Sequence, residues 1–166
     1  MTADRDLTPA DAVVALRSFP RRFRSALARP DDDDFDPDEV ARRYGSDGSS
    51  AAEHVLAAVT VLDLLAEAVR QVPHPDQASV PDAFTDLGTV AHRDDHSPVA
   101  ALLARVEASA EAAVARIDSI GTDQWANELG IAGTDQTLGA LTLVQDAIGA
   151  VAARLRATER TVSEVT

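Results

Sequence analysis

Apolar residues recur at three- and four-residue steps along four stretches of this chain, a spacing that predicts four amphipathic helices. The first begins at Thr8-Pro9, an N-cap followed by proline in its favoured first position, with Asp11 in the opening turn. Ala12, Val13, Leu16, Phe19 and Phe23 form its stripe. Pro20 falls inside that stripe, where it kinks the helix or splits it in two by removing a backbone donor and crowding the previous turn. A basic cluster of Arg21, Arg22 and Arg24 follows, and the segment ends at Ala28-Arg29-Pro30.

The second helix opens with Ser50 and Glu53, spaced as a capping box in which each residue satisfies a backbone donor of the other. Val55, Leu56, Val59, Leu62, Leu65, Val69 and Val72 hold helical spacing until Pro73. Ser97-Pro98 starts the third helix in the manner of Thr8-Pro9. Its stripe is Val99, Leu102, Leu103, Val106, Ala110, Ala113, Ile117 and Ile120, with Gly121 as the C-terminal stop. The fourth runs from about Gln136 to Arg160, with Leu141, Val144, Ile148, Val151 and Leu155 as its seam.

Between the helices, Asp31 to Ser50 reads as a loop because clustered acids repel and Gly45 and Gly48 loosen the backbone. Pro37, Asp38 and Glu39 can open a short helix there, through Tyr44. Residues 73–97 carry prolines, Gly88 and three histidines, and read as an irregular crossover with a helical turn near Phe84. Trp125 sits in the last connection, from Thr122 to Asp135. No segment alternates with period two, so the pattern calls for no sheet. The expected fold is all-α, a four-helix bundle with a long crossover between helices two and three, in one domain over residues 1–166.

Composition narrows this picture. A chain of 166 residues with 45 % hydrophobic positions suffices for one core, which buries roughly two thirds of the unfolded surface. Aromatics are only 4 %, so Ala, Val, Leu and Ile must build that core, and alanine lets helices approach closely. All 15 basic residues are arginine, and the net charge is -13. That balance argues against nucleic acid or an anionic membrane as partner. The absence of cysteine removes disulfides, thiolate metal ligands and a cysteine nucleophile. No stretch approaches the ~20 apolar residues of a spanning helix. The acidic start MTADRDL is unlike a signal peptide, and the expected setting is cytoplasmic.

Candidate chemistry is sparse. His92 and His96 have metal-ligand spacing for one helix face, yet they precede the helix start at Ser97-Pro98, where a solvated loop is the competing reading. The acids from Asp31 to Asp34, with Asp36 and Asp38, lack the order of a calcium loop. Arg21, Arg22 and Arg24 can pair with that acidic run or meet an anionic ligand. His54 follows the capping Glu53 and is either a lone general base or a surface residue at a helix end. Trp125 is either a plug over the bundle end or a stacking platform. No nucleophile elbow, catalytic triad motif or glycine-rich phosphate loop is present.

The run Asp47-Gly48-Ser49-Ser50-Ala51-Ala52-Glu53-His54-Val55-Leu56-Ala57-Ala58 resembles the opening of helix two in the DinB-like superfamily, which includes mycothiol-dependent maleylpyruvate isomerases. Members read aspartate, glycine, tryptophan and serine there, then a glutamate and a histidine four residues on. Leu16 to Arg24 resembles that family's first helix, and Thr137-Leu138 the start of its last. The resemblance implies a divalent cation held by one histidine from helix two and two from the last helix, with an open position for water or a thiol. Matched residue by residue, those ligands fall on Ala57, Gln145 and Gly149, and the family tryptophan on Ser49. The last helix contains no histidine. The expected protein is therefore a metal-free DinB-like bundle of binding or structural type, without cofactor, whose partner is a small ligand, another protein or a second copy of the chain. If a cavity replaces the metal, Ala57, Val61, Gln145 and Gly149 should line it. The competing expectation is a metal- or thiol-dependent transferase, isomerase or hydrolase with a rearranged site on His54, His92 or His96. A third is an acidic regulator whose Asp31–Glu39 loop docks a basic partner.

Overall fold

The computed structural model describes residues 7–28, 35–90 and 96–166; Asp31 to Asp34 and His92 lie outside these. The first helix, α1 (Pro9–Ala26), is capped as its sequence demands. Thr8 Oγ1 accepts from the Asp11 N–H at 3.1 Å, and the Asp11 carboxylate accepts from the Thr8 N–H at 3.2 Å. The helix runs unbroken through Pro20, so the proline does not divide it. Ala12, Leu16, Phe19 and Phe23 are buried, while Val13 is only half-buried.

A single turn, α2 (Pro37–Val40), begins on Asp36, whose carboxylate accepts from the N–H groups of Asp38 and Glu39. It stops short of Tyr44. Arg42 and Arg43 bond instead to carbonyls three residues back, which tightens the backbone into turns before Gly45.

The most enclosed element is α3 (Ala51–Val69), buried on nearly all sides from Ala51 to Val69. Ser50 and Glu53 make the expected reciprocal cap. The helix ends at Val69, and Val72 is fully buried in the turn beyond. In the crossover, 3₁₀ turns occupy 75–77, 82–85 and 87–89, and Phe84 anchors the middle one at 5 % exposure.

Two expectations about helix α4 (Val99–Asp118) are corrected. Ser97 does not cap it; the Val99 N–H donates to Asp38 Oδ1 at 2.6 Å, so α2 supplies the cap across 61 residues of sequence. Nor is Gly121 its stop: the helix closes at Ser119, and Gly121 has φ -68 rather than a left-handed conformation.

A two-stranded antiparallel hairpin follows, which the sequence reading did not foresee. Strand β1 (Glu128–Gly130) pairs with β2 (Thr137–Gly139) through Leu129↔Leu138. Strands of three residues are too short to show an alternating pattern, and Gly133 at φ 72 permits the turn between them. Val80 of the crossover bridges to Ile131, extending this small patch. The last helix, α5 (Ala140–Val165), consequently starts after the hairpin rather than at Gln136. Its buried face is Leu143, Val144, Ala147, Val151, Leu155 and Val162, while Leu141 and Ile148 are only half-buried.

The fold is thus all-α apart from the hairpin. Helix α3 packs on α4 and α5, and α1 packs on the same two. Their facing stripes form one apolar core, with Trp125 half-buried against it. No helix among the described residues is long and apolar enough to cross a membrane.

Candidate functional site

The positions singled out by the sequence separate into two places. Ala57 is 2 % exposed and Val61 fully buried, both on α3. Gln145 and Gly149 lie on the exposed face of α5. Packing of α3 thus encloses Ala57 and Val61, while α5 turns Gln145 and Gly149 outward.

Gln145 and Gly149 do line a groove of about 410 Å³, together with Asp146 and Ala150 of α5 and residues 84–88 of the crossover. Its far wall is held against α5 by Arg154, whose Nη2 donates to the carbonyls of Gly88 at 2.7 Å and Val90 at 2.6 Å. Phe84 and Leu87 root that wall in the core. Asp86 is occupied in accepting from the Gly88 N–H at 3.1 Å. Partial burial raises the Asp146 pKa, and it makes no hydrogen bond or ion pair among the described residues. Adding a Cβ to Gly149 would meet nothing within 4 Å, so the groove floor is open there. Gln145 and Gly149, the positions that the resemblance singles out, stand on the α5 wall of this groove; the crossover wall had no signal in the sequence beyond Phe84.

The second place surrounds His54. Its surface alternative is overturned, since the residue is 4 % exposed. The Ser50 cap fixes the start of α3 and so aims the ring under the preceding loop. Its Nε2 lies 3.2 Å from Asp47 Oδ2 without a well-aligned hydrogen bond. Asp47 is itself fixed: its Oδ1 accepts from the Ser49 N–H at 2.9 Å, and its Oδ2 lies 3.6 Å from Arg160 Nη2. The Ser49 N–H bond above all, with His54 and Arg160, holds the Asp47 pKa below its ordinary value, against the opposing effect of burial. Burial lowers that of His54, with Asp47 opposing and Arg154 and Arg160 reinforcing. Burial thus favours the neutral ring.

The other histidine candidate does not join either place. His96 is exposed, with φ 60, and its carbonyl accepts from Arg42 Nη2 at 2.9 Å. Among the described residues, no three His, Cys, Asp or Glu side chains stand together in a group suited to a metal ion. Searched against family models, curated proteins and solved structures, the chain matches none of them.

Proposed function

We propose that this chain is a four-helix bundle of the DinB-like kind that works by binding, without a metal, and that a small polar ligand occupies the groove between α5 and the crossover. The observation that carries the proposal is the identity and placement of Gln145 and Gly149. Where the resemblance expects a pair of imidazoles on the last helix, these side chains offer an amide and nothing at all, and they open onto the groove. The third expected ligand, Ala57, has no donor atom and is packed inside α3. The mutual packing of α1 and α3 on α4 and α5 supports a bundle. Function here would sit on a site that persists after the metal ligands are lost. The setting we propose is cytoplasmic.

Elemental analysis of the purified protein, followed by amide-shift mapping with a mixture of small polar fragments, tests this reading. No stoichiometric transition metal and shifts clustered on Gln145, Asp146, Gly149 and 84–88 are expected. One equivalent of zinc or nickel held by defined residues would overturn it, as would shifts confined elsewhere.

A further inference from the structure

The side chains of the groove between α5 and the crossover have a one-sided chemistry. Asp86 lines the crossover wall and Asp146 the α5 wall, and among the described residues no basic side chain lines either. Arg154 lies behind the far wall, spent on the Gly88 and Val90 carbonyls. The hydrogen-bonding capacity is skewed in the same sense. Asp86 Oδ1 accepts from the Gly88 N–H at 3.1 Å, which leaves Oδ2 without a partner among the described residues. The Thr85 hydroxyl donates to the Asp82 carbonyl at 2.7 Å, so its remaining capacity is to accept. Asp146 brings a carboxylate that makes no hydrogen bond or ion pair among the described residues. Gln145 supplies the one donor among these side chains, next to its own accepting carbonyl oxygen. Phe84, Leu87 and Ala150 add apolar surface beside the acceptors.

Acceptors in excess, two carboxylates and an apolar margin select among ligand chemistries. An anion would face both carboxylates with a single amide to donate to it. A neutral ligand would cover carboxylate oxygens without supplying a counter-charge, and desolvating an unpaired charge is costly. An ammonium brings three donors and no acceptor, and its charge opposes those of Asp86 and Asp146. Burial raises the Asp146 pKa, the direction for a carboxylate without a cation beside it, and a bound cation would offset that. A divalent metal is a poorer match, because among the described residues no three His, Cys, Asp or Glu side chains stand together. The net charge of -13 further draws organic cations toward the chain.

Taking this groove as the ligand site, we propose that its occupant is a protonated primary aliphatic amine. Its ammonium meets the Asp146 carboxylate, Asp86 faces it from the crossover wall, and the alkyl chain lies on Phe84, Leu87 and Ala150.

Butylamine, butanol and butyrate, equal in chain length and different in charge, are titrated separately into the full chain at neutral pH and fixed ionic strength, with amide shifts as the readout. Butylamine should give saturable shifts at Gln145, Asp146, Gly149 and 84–88. Butanol should bind there about fivefold more weakly, and butyrate not at all. Asp146→Asn should weaken butylamine about fivefold and leave butanol unchanged, while Glu159→Gln, outside the groove, should leave butylamine binding as it is. Butanol or butyrate binding the groove as tightly as butylamine would overturn the amine and keep the groove as a site. If all three probes leave the groove residues unshifted, the amine and the groove reading fall together. Calcium chloride alone reproducing the shifts would also refute the proposal, as would butylamine affinity that Glu159→Gln lowers as much as Asp146→Asn does.

Discussion

The two capping boxes offer a matched test of how burial scales a local interaction. Thr8 at α1 and Ser50 at α3 make the same pair of bonds: the hydroxyl accepts from the third residue's N–H, and that residue's carboxylate accepts from the cap's own N–H. Thr8 is exposed, whereas Ser50 is 1 % exposed. In Thr8→Ala, water replaces the lost acceptor for the Asp11 N–H, so the cost should sit near the low end for caps, about 0.5–1 kcal/mol. In Ser50→Ala, the Glu53 N–H loses its partner where water enters poorly, so the cost should reach about 1.5–2 kcal/mol. For a chain of this size those figures correspond to Tm losses of about 1–4 °C and about 3–8 °C respectively. Urea unfolding at neutral pH, with m unchanged, is the assay, and calorimetry gives the second measure. If Thr8→Ala costs as much as Ser50→Ala, or more, the argument that burial amplifies the cap is refuted.

Three further substitutions have signs fixed by the structure. Pro20 lies within a continuous helix and denies the Leu16 carbonyl its donor; Pro20→Ala should stabilise by about 1–2 kcal/mol, the helical gain of about 3 kcal/mol being reduced by unfolded-state entropy and by packing already fitted to proline. A lower urea midpoint would contradict this. Gly149 sits mid-helix with open space at its Cβ, so Gly149→Ala should add about 0.5–1 kcal/mol by the same measurement. Because burial raises the Asp146 pKa, its charged form is disfavoured in the folded protein, and the penalty is present at neutral pH and relieved as pH falls through the raised value. Asp146→Asn should therefore raise Tm at pH 7 and lose that advantage under acid; a lower Tm at pH 7 would show that the carboxylate is needed.

Helix existence was legible in the chain because it depends on spacing and end chemistry that neighbours in sequence supply. The stripe of Leu16, Phe19 and Phe23 and the Ser50–Glu53 box are local facts, and the fold keeps both. Tertiary structure decided where local rules had no partner to offer. The first N–H of α4 is capped by Asp38, which reaches it only because α2 folds against the start of that helix. The hairpin of Leu129 and Leu138 is stabilised by its docking against the core and Val80, not by any run long enough to alternate.

The site divides the same way. The sequence alone determined that imidazole is missing from the last helix, since residue identity needs no coordinates. It also selected Gln145 and Gly149, but it grouped them with Ala57 and Val61, which α3 buries. Only the packed chain places residues 84–88 opposite them and brings Arg160, more than 100 residues away, over Asp47 and His54. The capping of α3 was written locally, and so was the place of His54 in its first turn. Whether that ring meets water depended on how residues 46–50 pack against the C-terminal helix, because burial is a property of the assembled surfaces rather than of the residue.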